Sequence, residues 1–177
     1  IVVTGTELDS QGIVLGDNGT LTLDSDDHLV SIESNDYEYG DVDTILLTSG
    51  TNTVIGGKGG DTITAGSGTN TVIGDDGEAW FEGNTLTSIY STNSDNGGDD
   101  VITLQNGTNT VIAGDGKDKV TIGAGSNIVL GDEGSLTVNA GDNTTTIKTL
   151  NGSVGDIDTI NVGEGFNVAI GGAAGDA

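Results

Sequence analysis

The chain has 177 residues, of which 28 are acidic and four are basic, for a net charge of −24. That charge repels nucleic acid and anionic membrane, which need clustered basic groups, and it repels itself, so folding calls for counter-ions. Cysteine, proline and methionine are absent and aromatic residues make up 3%, which excludes disulfide stapling and a core of large side chains. No apolar run approaches the roughly 18 residues of a membrane span.

Low aromatic content with high net charge also describes disordered chains. Here, however, the Val, Ile and Leu residues are regularly placed. Residues 1–15 read as the end of a preceding repeat. The segment GDNG at Gly16 opens an irregular stretch around Ser31-Ile32-Glu33-Ser34. From Glu38 the chain divides into nine-residue blocks: EYGDVDTIL, LTSGTNTVI, GGKGGDTIT, AGSGTNTVI and GDDGEAWFE. The blocks restart at Asp95 (DNGGDDVIT, LQNGTNTVI, AGDGKDKVT, IGAGSNIVL, GDEGSLTVN) and at Ser153 (SVGDIDTIN, VGEGFNVAI, GGAAGDA). Glycine clusters at positions 1 to 4, position 6 alternates Asp and Asn, and position 8 is Ile or Val in nearly every block.

A longer period lies above the short one. GDNG at Gly16, GDDG at Gly74 and GDEG at Gly131 are 58 and 57 residues apart (74−16 and 131−74), each followed by a less regular stretch. One continuous solenoid over 1–177 is expected, with super-repeats at about 16–73, 74–130 and 131–177, each having two regular turns and one expanded turn. The terminal GGAAGDA and the initial Ile-Val-Val fit one another, so a unit of a longer array or a head-to-tail assembling unit is expected.

The block GGKGGDTIT matches GGxGxDxUx at every fixed position, U being a large apolar residue. In this the chain resembles the RTX (repeats-in-toxin) family of calcium-binding nonapeptide-repeat proteins. It departs from that pattern where Asn stands at position 6 and in the GDxG blocks. The resemblance implies an all-β, right-handed parallel β-roll or β-solenoid of about 18 residues per regular turn, Ca2+ ions between consecutive Gly-rich turns, and export by type I secretion. The residues agree with it. Glycines permit positive φ and close backbone approach in tight turns, and the x-U-x stretch that follows suits a short strand with U inward.

Two blocks per turn place alternate blocks on opposite edges. Asp43, Asp61, Asp100, Asp118, Asp158 and Asp176 then stack on one edge, and Asn52, Asn70, Asn109, Asn127 and Asn167 on the other. Carboxylates one strand spacing apart repel, and a bridging hard cation removes the cost; calcium accepts six to eight oxygens in irregular geometry. The family's ligand role carries over to the six position-6 aspartates. Further candidates, where the family motif places no ligand, are Asp17, Asp75, Asp76 and Asp132 in the GDxG blocks and Asp41, Asp99, Asp115 and Asp156 beside the motif aspartates. The asparagines read as a neutral hydrogen-bonded ladder that needs no ion.

Ile45, Ile63, Ile102, Val120 and Ile160 are expected inward. Ile55, Ile73, Ile112, Leu130 and Ile170 follow the Asn-edge strands at position 9. They either turn inward and widen the core or form an apolar stripe for self-association. Trp80 and Phe81 read either as a carbohydrate-stacking pair or as a cap where the turn widens, and His28 as a solvated loop residue.

The resulting expectation is no enzyme. The acids repeat with the fold, and there is neither arginine nor a Ser-His or Cys-His set. A secreted bacterial segment is expected at the cell surface, an adhesin-type stalk, surface-layer or matrix element that folds on binding calcium, with no nucleic-acid partner and no membrane insertion. The alternatives are an ice- or glycan-binding module using Thr51, Thr69 and Thr108 along the Asn edge and, behind it, a β-helical polysaccharide-active enzyme.

Overall fold

The computed structural model describes residues 1–3, 10–83, 85–93, 97–139, 141–142, 144–150 and 155–176. The block starts at Asp95 and Ser153, and the Ala177 side of the junction with Ile1, lie outside the described residues. Among the described residues there is no helix, so none is long and apolar enough to cross a membrane.

The chain winds through two parallel sheets and returns periodically to a third, antiparallel one. It begins with β1 (Val2–Val3) in sheet A and β2 (Gln11–Leu15) in sheet B, then leaves for a hairpin, β3 (Gly19–Leu23) and β4 (Leu29–Ser34), in sheet C. A regular passage follows: β5 (Thr44–Leu47) in A, β6 (Gly50–Ile55) in B, β7 (Thr62–Ala65) in A and β8 (Gly68–Ile73) in B. A second hairpin, β9 (Gly77–Glu82) and β10 (Thr85–Ser91), precedes β11 (Val101–Leu104), β12 (Gly107–Ile112), β13 (Lys119–Ile122) and β14 (Gly125–Leu130), again alternating A and B. A third hairpin, β15 (Gly134–Asn139) and β16 (Thr144–Thr149), leads to β17 (Thr159–Val162) in A and β18 (Gly165–Ile170) in B. The architecture is an all-β parallel roll with an added hairpin layer.

Register follows the nonapeptide. In sheet B, Asn52 pairs with Asn70, Asn70 with Asn109, Asn109 with Asn127 and Asn127 with Asn167. Strands run four residues in most of sheet A and six in most of sheet B, longer than the three-residue x-U-x core of the block. Glycine with positive φ opens five of the six sheet-B strands, β6, β8, β12, β14 and β18. At Gly68 φ is +139°, and an added methyl group would lie 2.1 Å from the Gly50 carbonyl oxygen.

The first core lies between sheets A and B and takes the inward position-8 residues, among them Ile45, Val54, Ile63, Val72, Ile102 and Val111. Ile160 packs against its end. The second core corrects both readings of the position-9 residues. Ile55, Ile73, Ile112 and Leu130 neither turn inward nor form an outer stripe. They occupy the opposite face of sheet B and are buried under Ile32, Ala79, Ile89 and Leu136 of the hairpins. Ile170, in the last strand of sheet B, is half-buried. Strict alternation does point these side chains away from the first core, but the chain itself covers Ile55, Ile73, Ile112 and Leu130, so those four are not available for self-association.

The asparagine edge is a closed neutral ladder. Asn52, Asn70, Asn109 and Asn127 each donate Nδ2–H to Oδ1 of the next asparagine at 2.7–2.8 Å. Each also donates to the carbonyl four residues back, Thr48, Gly66, Gln105 and Gly123 respectively. Asn109→Ala removes three of these bonds at a fully buried site. A loss of about 2–4 kcal/mol is expected in urea unfolding, from the unpaired groups left behind, with the number of bound calcium ions unchanged.

Candidate calcium edge

Every passage from sheet B to sheet A crosses one edge, and all six position-6 aspartates stand there. Five successive backbone bonds tie them into a ladder. Asp43 N–H donates to Asp61 Oδ1 (2.7 Å), Asp61 to Asp100 (2.6 Å), Asp100 to Asp118 (2.8 Å), Asp118 to Asp158 (2.9 Å) and Asp158 to Asp176 (3.1 Å). Each acceptor carboxylate therefore spends one oxygen holding the preceding turn. The other oxygen of Asp61, Asp100, Asp118 and Asp158 is buried with no hydrogen-bond partner, although these residues are at most 2% exposed.

Three of those bare oxygens lie beside backbone carbonyls. A methyl group on Gly56 would lie 2.4 Å from Asp61 Oδ2 and 2.0 Å from the Gly74 carbonyl oxygen. A methyl group on Gly74 would lie 2.0 Å from Asp100 Oδ2 and 2.3 Å from the Ala113 carbonyl oxygen. At Gly131 the corresponding atoms are Asp158 Oδ2 at 2.2 Å and the Gly171 carbonyl at 2.6 Å. Glycine leaves these cradles open, and oxygens line them: the carboxylate Oδ2 atoms have no donor, and the Gly171 carbonyl accepts one N–H, from Asp132 at 2.9 Å. Such a donor set suits a hard cation.

Electrostatics points the same way. Burial, reinforced by like-charged neighbours, pushes the carboxyl pKa up to about 7 at Asp61, about 9 at Asp100, about 8 at Asp118 and about 6 at Asp158. Asp43 is raised for the same reasons. Two ionised carboxylates one strand spacing apart repel by about 3.5 kcal/mol at an effective dielectric of 20.

The GDxG aspartates do something the sequence did not disclose: they clasp the base of each hairpin. Asp75, just before β9, accepts the Gly98 N–H from the limb leaving β10 (3.0 Å) and the Asp115 N–H from the next turn (2.6 Å). Asp17 accepts from Lys58 (2.8 Å) and, at long range, from Asp41 (3.4 Å). Asp132 accepts from Ala173 through Oδ2, while its Oδ1 is buried without a partner. Asp75 is pushed up to about 10 by burial and by Asp100 and Asp118, so the clasps border the ladder. Asp76 is buried at the hairpin base, 3.4 Å from Asn93 Nδ2, and burial raises its pKa.

The remaining candidates lie farther out. Asp41, Asp99 and Asp156 are exposed and Asp115 is half-buried. Asp41 accepts the N–H of the adjacent Val42 at 2.9 Å, whereas Asp99 accepts the backbone N–H of Lys117, one turn on, at 2.9 Å. The carbonyls of Gly74, Ala113 and Gly171 are the participants sequence reasoning missed, because every residue type carries a carbonyl. At the tip of the first hairpin His28 is half-buried and lies 3.1 Å from Asp24 Oδ2, with Asp24 also holding the Asp26 and His28 amides. Phe81 packs on the second core, whereas Trp80 is 38% exposed on the outer face of sheet C and donates to Glu78.

Residues 47–78 and 94–120 match the RTX calcium-binding nonapeptide repeat, in four copies. No curated protein and no solved structure matches the chain.

Proposed function

From the four matched copies of the RTX calcium-binding nonapeptide repeat, we propose that the chain is an extracellular structural segment that calcium folds along a single edge. The observation that carries this reading is the column of buried, unpartnered Oδ2 atoms of Asp61, Asp100, Asp118 and Asp158, with backbone carbonyls beside those of Asp61, Asp100 and Asp158. In it, these four aspartates with Asp43 and Asp176 hold the ions, joined by the Gly74, Ala113 and Gly171 carbonyls. Asp132 contributes its bare Oδ1. Asp17 and Asp75 act first as clasps, and Asp41, Asp76, Asp99, Asp115 and Asp156 add negative charge nearby.

The unfolded chain has no preformed site, so ion binding and folding are one process. A segment built this way stays unfolded where calcium is scarce and folds after export, which suits a bacterial stalk, adhesin, surface-layer or matrix element. The acids serve the fold at every turn, and no enzymatic role is assigned to them. Head-to-tail stacking of copies through the outer strands of the sheets belongs to the same reading; sedimentation in millimolar calcium distinguishes stacks from single chains.

Calorimetric calcium titration of the wild type and of Asp100→Asn and Asp99→Asn tests the assignment. Asp100→Asn is expected to remove one or two ions and to raise the calcium midpoint of folding about tenfold or more, since a ligand charge is lost from two neighbouring cradles. Asp99→Asn is expected to change neither. Equal behaviour of the two variants overturns the ligand set.

A further inference from the structure

Sheets B and C diverge away from the hairpin bases, and a cleft of about 380 Å³ opens between them. One wall carries a hydroxyl ladder: Thr51, Thr69 and Thr108 stand in register on three successive strands, β6, β8 and β12, with Ile128 of β14 beside them. Thr71 and Thr110 form a second, deeper row. The facing wall, from the hairpins, sets Leu86, Leu136 and Val138 beside Thr85 and Thr145. None of the residues lining the cleft is charged, on a chain whose net charge is −24.

We propose that this cleft binds a segment of a linear, uncharged polysaccharide. Among the described residues, the hydroxyls of Thr51, Thr69 and Thr108 have no hydrogen-bond partner, which leaves them to bond a ligand. Their repeat of about 4.8 Å along the long axis of the roll meets a polymer that presents hydroxyls at a similar interval. A pyranose chain has the required two-sidedness: its hydroxyl edge bonds the threonine row and its C–H face rests on Leu86, Leu136 and Val138. The absence of charge selects against acidic and basic ligands alike. An extended peptide is disfavoured because the cleft exposes the face of sheet B, whose backbone groups in β6, β8, β12 and β14 are already paired. Ice is disfavoured because the hairpin wall denies it a flat plane.

The test uses the full chain folded in millimolar calcium. The probes are cellulose-, starch-, xylan- and mannan-derived oligosaccharides, with polygalacturonate as the acidic comparison, and the readouts are calorimetry and amide chemical shifts. At least one neutral oligosaccharide is expected to shift the Thr69 and Thr108 amides. The double variant Thr69→Val, Thr108→Val is expected to weaken its binding about tenfold, with circular dichroism and the calcium midpoint unchanged. The proposal is overturned if no neutral probe shifts those amides, if polygalacturonate binds there equally well, or if the double variant binds as tightly as the wild type. The unchanged calcium midpoint separates this outcome from any failure of the calcium reading.

Discussion

With calcium chelated, stability is expected to be greatest near pH 4 and to disappear as pH rises through neutrality; with millimolar calcium the profile inverts. The cause is the aspartate ladder. Asp158, Asp61, Asp118 and Asp100 have folded pKa values of about 6, 7, 8 and 9, against an ordinary value of 3.8. Between pH 4 and those values the ion-free folded chain holds more protons than the unfolded one, so each rise in pH favours unfolding. The stabilisation is complete below the unfolded pKa and is lost as pH rises through about 6 to 9. One pKa unit corresponds to about 1.4 kcal/mol, and a domain has only about 5–15 kcal/mol in total, so four raised sites can consume it.

In the proposed reading calcium takes the proton's place: it binds the ionised carboxylates, and stability is expected to rise with pH as they deprotonate. Urea unfolding followed by circular dichroism, at acid and neutral pH with and without chelator, checks both limbs. A β spectrum and a urea midpoint at neutral pH that are indifferent to chelation would falsify the calcium-edge reading.

Ile112→Ala is expected to cost about 2–5 kcal/mol and to leave the molecular mass in solution unchanged. Ile112 is fully buried on the face of sheet B that the hairpins cover, and truncation leaves a cavity that two sheets cannot easily close. Were this residue part of an outer stripe, the same change would alter association and barely touch stability. Equilibrium unfolding combined with sedimentation separates the two. Ile102→Ala, in the first core, provides the comparison and is expected to cost a similar amount.

Much of the aspartate edge was legible because it is written locally. A nine-residue period with glycine at its turns returns position 6 to the same edge every second block, so the alternation of Asp and Asn in the chain becomes two separate columns in space. Their hydrogen-bond ladders at Asp61–Asp100–Asp118 and Asn70–Asn109–Asn127 follow from that register. The inward direction of Ile63 and Val72 follows from strand alternation within a single block.

The third layer was not legible, because its pairing joins segments far apart in the chain. Ile89 pairs with Leu136 and Ile32 with Ala79, and the alternation in β10 is broken by a bulge between Leu86 and Ser88. A signal was present in the adjacent apolar pairs Val54-Ile55, Val72-Ile73 and Val111-Ile112, since a strand that is apolar on both faces needs a cover on each side. The sequence by itself determined the period, the acidic edge and the asparagine edge, since each depends on contacts one repeat apart. Only the tertiary structure decided that hairpins cover Ile55, Ile73, Ile112 and Leu130, that Asp75 clasps a hairpin instead of simply continuing the ladder, and that a neutral cleft opens beside the roll. Each of these depends on which distant strands meet, and the free energy of that meeting comes from burying two faces together.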